Sequence, residues 1–275
     1  MSFPPPLGHG IGLRAKHYTR FLEENPAVAW VEAISENFMG VGGRPLAVLE
    51  KVRRDRPVAL HGVALSIGAV EPLDTRYLAQ WKALIDRIEP AIVSDHLCFG
   101  RHGARYVHDL LPLPFTEESL AHVVERVKVV QDFLGRRLLL ENVSSYLTFL
   151  ESTMTEWDFV REVALRADCH LLLDINNIYV SSRNHGFDPQ AYLRAMPPKR
   201  VAQFHLAGHL DRGDLVIDTH EGHVQDPVWA LYREAVSRFG SSVPTLIEWD
   251  TDVPSLDELL QESRRAEAES RTVAP

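Results

Sequence analysis

Short apolar runs recur along the chain, each stopping at a residue able to carry charge or bind a metal. The plainest is Leu171-Leu-Leu-Asp174-Ile-Asn176-Asn177, where three leucines lead into a carboxylate and two carboxamides. A run that is apolar at every position reads as a strand buried on both faces, the habit of parallel sheets. The same pattern recurs in Leu138-Leu-Leu-Glu141-Asn142. It is looser in Val58-Ala-Leu-His61, Ile92-Val-Ser-Asp95-His96, Val201-Ala-Gln-Phe-His205 and Thr245-Leu-Ile-Glu248. Residues 10–14 and 28–34 read as two further strands, which makes eight.

Between the strands the spacing becomes helical. Residues 76–88 carry Leu78, Trp81, Leu84, Ile85 and Ile88 on one face. Thr116, followed by Glu117 and Glu118, offers a cap and an acidic first turn for a helix that ends near Leu134, before Gly135. Shorter helices are predicted over 18–25 and 45–54, after Thr155, from Asp188 to about Met196, over 229–239 and from near Ser255. Residues 99–114, with His102, Tyr106 and His108, predict a long irregular loop. The interval 207–226 departs from strand–helix alternation, and the acidic, alanine-rich end from about Glu262 reads as a solvated helix end or a frayed tail.

Eight strands, each followed by a helix or helical turn, predict an α/β fold, a (β/α)8 TIM barrel forming one domain over residues 1–275. The chain length and its 45% hydrophobic content suit one large core. The formal net charge of −9 argues against nucleic acid or anionic membrane as a general partner, and points to small molecules or proteins. The start, Met1-Ser-Phe-Pro-Pro-Pro, lacks a basic and apolar secretory pattern, and no apolar run approaches a membrane span. A cytoplasmic location is expected. Two cysteines, Cys98 and Cys169, imply no disulfide framework and read as buried free thiols.

A parallel barrel gathers the carboxyl ends of its strands at one mouth. His61, His96, Glu141, Asp174, His205 and Glu248 then converge, and converging buried charge is too costly to keep without a partner such as a metal ion. Asp218 and His220, two apart in an extended segment, face one side and join the candidate ligands. Four histidines and four carboxylates exceed the need of one ion, so two or three ions bridged by Glu141 or Asp174 is the natural reading. The thiolate-free set suits iron, manganese or zinc. Glu36, Asn37, Asp95, Asn142, Asn176, Asn177 and His209 are expected to support the ligands through hydrogen bonds or to touch substrate. His9, His17, His122 and His170 read as structural or solvated, and His185 as a mouth-side loop residue. The role of His223 stays open, and the set of ligands is equally compatible with an isomerase, a hydrolase or an oxygen-using enzyme.

The order of motifs resembles a bacterial family of multinuclear non-haem iron oxidases that modify ribosomally made peptides, a family that includes the iron subunit of methanobactin biosynthesis. The resemblance rests on Gly10-Ile-Gly-Leu-Arg14, Ser35-Glu-Asn37, Leu60-His-Gly62, Ser94-Asp-His96, Asp109-Leu-Leu-Pro-Leu-Pro114 and Glu141-Asn142. It continues through Asp174-Ile-Asn-Asn177, His205-Leu-Ala-Gly-His209, Asp218-Thr-His220 and Leu246-Ile-Glu-Trp-Asp250. It implies a xylose-isomerase-like barrel, two or three iron ions (Fe2+/Fe3+) and O2 as co-substrate. It also implies a cysteine-containing precursor peptide as substrate and a separately encoded leader-binding partner forming a heterodimer. The alternatives are a zinc or manganese isomerase or hydrolase on the same barrel, and a non-catalytic metal-binding subunit of a peptide-processing complex.

Overall fold

A computed structural model describes residues 3–40, 42–102 and 105–273, without the side chains of His102, Arg105, Tyr106 and His108. The expectations placed on Met1, Ser2, His102, Tyr106 and His108 therefore lie outside the described residues. In chain order the strands are β1 (His9–Gly12), β2 (Trp30–Ile34), β3 (Val58–His61), β4 (Ile92–His96), β5 (Phe99–His102) and β6 (Arg105–Leu111). They continue with β7 (Leu139–Glu141), β8 (His170–Asp174), β9 (Val201–Leu206), β10 (Leu210–Asp211), β11 (Val216–Ile217) and β12 (Thr245–Ile247). The α-helices are α1 (Tyr18–Glu23), α2 (Arg44–Asp55), α3 (Thr75–Ile88), α4 (Glu117–Leu134), α5 (Glu156–Arg166), α6 (Ile175–His185), α7 (Pro189–Ala195), α8 (Asp226–Phe239) and α9 (Leu256–Thr272).

Eight of these strands close into a parallel ring in the order β1-β12-β9-β8-β7-β4-β3-β2, with β1 bonded to both β12 and β2. The fold is the expected (β/α)8 barrel. Its interior is plugged by one apolar layer: Trp30, Ala59, Ile92, Leu139, Leu172, Ala202 and Leu246, each from a different strand. The eighth strand brings Gly10, which pairs with Trp30 and has no Cβ to collide with the indole. Side chains alternate along a strand, so the inward residue two positions later belongs to the next layer up. Those residues are Glu32, His61, Ser94, Glu141, Asp174 and Glu248. On β9 a register shift opposite Leu171 and Leu172 lets Gln203 and His205 share this layer. Apolar plug below, polar layer above: the barrel's alternation alone makes a site.

Outside the ring, the helices bury the stripes that their spacing demands, including Leu78, Trp81, Leu84, Ile85 and Ile88 of α3. Side-chain caps start several of them, with Thr116 accepting from the Ser119 N–H and Thr155 from the Asp158 N–H.

Two expectations need correction. Residues 99–114 hold an antiparallel hairpin, β5 with β6, rather than an irregular loop. Asp174 caps α6, so Asn176 and Asn177 stand in the helix's first turn. The terminal segment is no frayed tail, because α9 continues to Thr272 and buries Glu262, Ser263, Ala266 and Ser270.

Candidate metal centre

Seven of the eight expected ligands fall into three linked groups of donor atoms: His61, His96 and Glu141; then Glu141, Asp174, His205 and Glu248; then His220, Glu248 and Asp250. In the first, His61 Nε2 lies 3.2 Å from His96 Nε2 and 3.2 Å from Glu141 Oε2, which is 3.3 Å from His96 Nε2. Donors bonded to one ion at about 2.1 Å, at tetrahedral to octahedral angles, stand roughly 3.0–3.4 Å apart. The triangle therefore has the size of a coordination face. The other ring nitrogens are engaged, His61 Nδ1 with Ser94 Oγ at 2.8 Å and His96 Nδ1 with the Gly62 carbonyl at 3.2 Å. This leaves both Nε2 lone pairs for a cation.

Glu141 turns its other oxygen to the second group, where Oε1 lies 3.3 Å from His205 Nδ1. His205 Nδ1 is 2.9 Å from Glu248 Oε2, and that oxygen is 3.5 Å from His220 Nδ1 in the third group. His220 Nδ1 faces Asp250 Oδ2 at 3.4 Å. Two carboxylates thus join three groups, Glu141 between the first and second and Glu248 between the second and third. His220 holds a left-handed backbone, φ 48°, a strained conformation for a residue with a Cβ, and such strain gathers at functional sites.

Two buried carboxylate oxygens in this layer, Glu141 Oε2 and Asp174 Oδ2, accept no hydrogen bond. A buried unpaired carboxylate oxygen is costly, and cations bridging the groups would satisfy the carboxylate atoms and the ring nitrogens together. The protonation balance agrees. Burial, then the charges of His96 and His205, hold the His61 pKa well below its ordinary value, so it offers a bare nitrogen. Burial and the neighbouring Glu141 push Asp174 up. Burial opposes a proton on His205, but Glu32, Glu141 and Glu248 outweigh it, and Asp218 and Glu248 do the same for His220. Without cations, the pocket draws protons as substitutes.

The supporting residues separate by what they touch. Asp218 stands outside the three groups; its Oδ1 lies 2.9 Å from His220 Nε2 and accepts from Asn176 Nδ2 at 2.8 Å, while Oδ2 accepts from Ser144. His209 is bonded to Asn176 Oδ1 through Nδ1 at 2.7 Å. Asn142 exchanges two hydrogen bonds with the Asp174 backbone, and the Asn177 amide donates to the Asn142 carbonyl. Glu36 accepts from the Val63 and Ala64 N–H groups and from Tyr77. Asp95, pushed up by burial and by Glu36, accepts from the His96 and Leu65 N–H groups. Asn37 is exposed. His223 points away, to Glu258 and Glu262, and His185 bonds Ser145. Cys98 and Cys169 are buried free thiols.

Three participants escaped the sequence reading. Asp250 follows Glu248 by two positions, the spacing that singled out Asp218 and His220, and Arg14 pairs with it. Glu32 and Gln203 lie inside apolar strands, and the signal was a fully buried polar group in a run of hydrophobic residues. Above the ligands opens a cavity of about 260 Å³, lined by His61, His96, Tyr146, Asp218, His220 and Glu248 among others. It is wide enough for a side chain and the backbone that carries it.

The barrel is similar to that of endonuclease IV from Thermus thermophilus, at a TM-score of 0.63 and 16% identity over 96% of this chain and 98% of that one. A D-psicose 3-epimerase structure gives 0.61 and 13% identity over 97% and 99%. At such identities the likeness shows the xylose-isomerase-like fold. Relatives in sequence are far closer. A UPF0276 protein of Anaeromyxobacter sp. (strain Fw109-5) is 64% identical over 269 residues, covering 98% of this chain and 95% of its own. One from Caulobacter vibrioides is 53% identical over 263 residues, covering 95% and 94%. Residues 8–271 match the model of the RiPP precursor modification enzymes MbnB/TglH/ChrH, where RiPP denotes a ribosomally made, post-translationally modified peptide. With the match running from β1 to the last turn of α9 and so including every ligand candidate, the chain belongs to the MbnB/TglH/ChrH family of RiPP precursor modification enzymes.

Proposed function

We propose that the protein is a multinuclear non-haem iron oxidase that uses O2 to modify cysteine in a ribosomally made precursor peptide. It acts there with a leader-binding partner protein. The observation that carries this reading is the pair of bridging carboxylates, Glu141 and Glu248, which set three groups of donors side by side beneath one cavity. Iron bound by these groups would hold the substrate thiolate, lower its pKa and supply the electrons that reduce O2.

The chain's own part is positioning. His61 and His96 present Nε2 because their Nδ1 atoms are tied down, and Asp174 presents Oδ2 because Oδ1 is held by the Asn177 N–H at 2.6 Å. Ile34, Val63, Leu110, Val143 and Tyr146 form an apolar rim around this charged floor. A peptide side chain seated in that rim displaces water from the floor and brings its sulfur over the donors, which converts an encounter into a held geometry.

Protein purified without oxygen and loaded with iron tests the reading. Two to three irons per chain are expected, with an absorption spectrum that changes on exposure to air. A cysteine-bearing precursor peptide supplied with the partner is expected to change mass only when O2 is present. A colourless protein holding stoichiometric zinc, and inactive after iron reconstitution, would replace the oxidase with a divalent-metal isomerase or hydrolase.

A further inference from the structure

We infer that Glu32 is a positioning residue for the middle metal group, acting through His205; this rests on the reading of that group as a metal site. His205 is turned differently from His61 and His96. They offer Nε2, whereas His205 directs Nδ1 at Glu141 and Glu248 and sends Nε2 down toward the barrel plug. Glu32 Oε1 waits there, 3.0 Å from His205 Nε2. Its other oxygen accepts from Gln203 Nε2 at 2.6 Å. Both Glu32 and Gln203 are at least nine-tenths buried, and neither lines the mouth cavity. A buried carboxylate beneath a ligand histidine, with no substrate in reach, has one chemical task in this setting.

A cation on Nδ1 requires the single imidazole proton to sit on Nε2. Glu32 Oε1 is then the acceptor. Gln203 Nε2 also lies 2.9 Å from His205 Nε2, and two donors cannot share that contact. The carboxylate resolves it by accepting from both. The negative charge strengthens the N–H bond, pushes electron density to Nδ1 and makes His205 a stronger donor, while the fixed acceptor locks the ring angle. Ser94 and the Gly62 carbonyl give His61 and His96 neutral hydrogen-bond partners, the Asp95 carboxylate standing 4.0 Å from His96 Nδ1. Glu32 therefore singles out the middle ion for tighter binding and for the higher charge state.

Glu32→Gln separates charge from shape. The variant keeps an oxygen for His205, and Gln203, whose Oε1 has no partner, turns its amide to accept from the new one. Glu32→Ala removes both. The probe is Zn2+ added to metal-free protein against a chromophoric chelator, read as stepwise affinities, with 15N-histidine spectra of the zinc form and thermal melting as companion readouts. In Glu32→Gln one zinc is expected to weaken about 10- to 100-fold, the scale of losses on removing a ligand histidine's carboxylate partner. The Nε2–H resonance of His205 shifts upfield, and the remaining affinities and the melting point stay close to wild type. Glu32→Ala weakens the same zinc at least as much. Unchanged zinc affinities and an unchanged resonance in both folded variants would overturn the inference. Wild type that takes up no zinc cluster would instead strike the metal reading beneath it.

Discussion

At the scale of single residues, the candidate centre couples metal and protons. His205 and His220 carry pKa values raised above their ordinary one, burial being outweighed by carboxylates, and Asp174 is raised by burial and Glu141. His205 and His220 hold protons at neutral pH when no cation is present, and ligation needs both of them bare. Binding therefore releases protons, and the apparent affinity rises with pH through the neutral range. Calorimetric Zn2+ titrations in buffers of different ionisation enthalpy are expected to show net proton release, with tighter binding at pH 8 than at pH 6. Heats independent of buffer would mean that the ion-free pocket is already deprotonated. His61, held low by burial and its histidine neighbours, adds nothing to the release.

At the scale of elements, Asp174 serves two structures at once. Its Oδ1 caps α6 through the Asn177 N–H, and its Oδ2 stands unpartnered among the second group. Asp174→Asn keeps a capping oxygen and loses the charge, so it is expected to lose metal while melting near wild type. Asp174→Ala loses both functions and should also cost about 0.5–2 kcal/mol of stability, the usual worth of an N-cap side chain. Metal analysis beside urea denaturation separates the two; equal stability in both variants would remove the capping role. The same double duty shows why α6 was hard to read in the sequence. Ile175-Asn-Asn-Ile-Tyr-Val180 has β-branched and aromatic residues in strand-like order, and the cap at Asp174 looked like a strand exit. Strand ends were legible because a polar side chain that closes an apolar run stands out. The hairpin β5–β6 was not: its histidines, and Pro112 and Pro114 that follow it, read as loop. Glu32 was missed for the opposite reason, since it lies within Trp30–Ile34 and not at a strand's polar exit.

At the scale of the whole molecule, the barrel shared with endonuclease IV leaves open whether this mouth could serve a nucleic acid. The charges decide it. Binding a phosphate backbone draws on lysine and arginine released of other partners. Among the described residues the cavity lining holds neither, while Asp109, Asp218, Glu248 and Asp250 all line it. Arg14, the cation beside this floor, is already paired with Asp250. Ions bound below would offset part of that acidity, but two or three divalent cations face a chain whose formal net charge is −9 and a rim whose described residues supply no lysine or arginine. A neutral or cationic peptide meets no such barrier, and the apolar rim offers it area to bury. Metal-loaded protein is therefore expected to leave a DNA duplex uncut and to show no mobility shift with it at physiological salt. The same preparation should cross-link to a cysteine-bearing peptide at the mouth. Cleavage of the duplex, or binding that weakens steeply with added salt, would show that a cationic track lies elsewhere on the surface and would overturn the exclusion of nucleic acid.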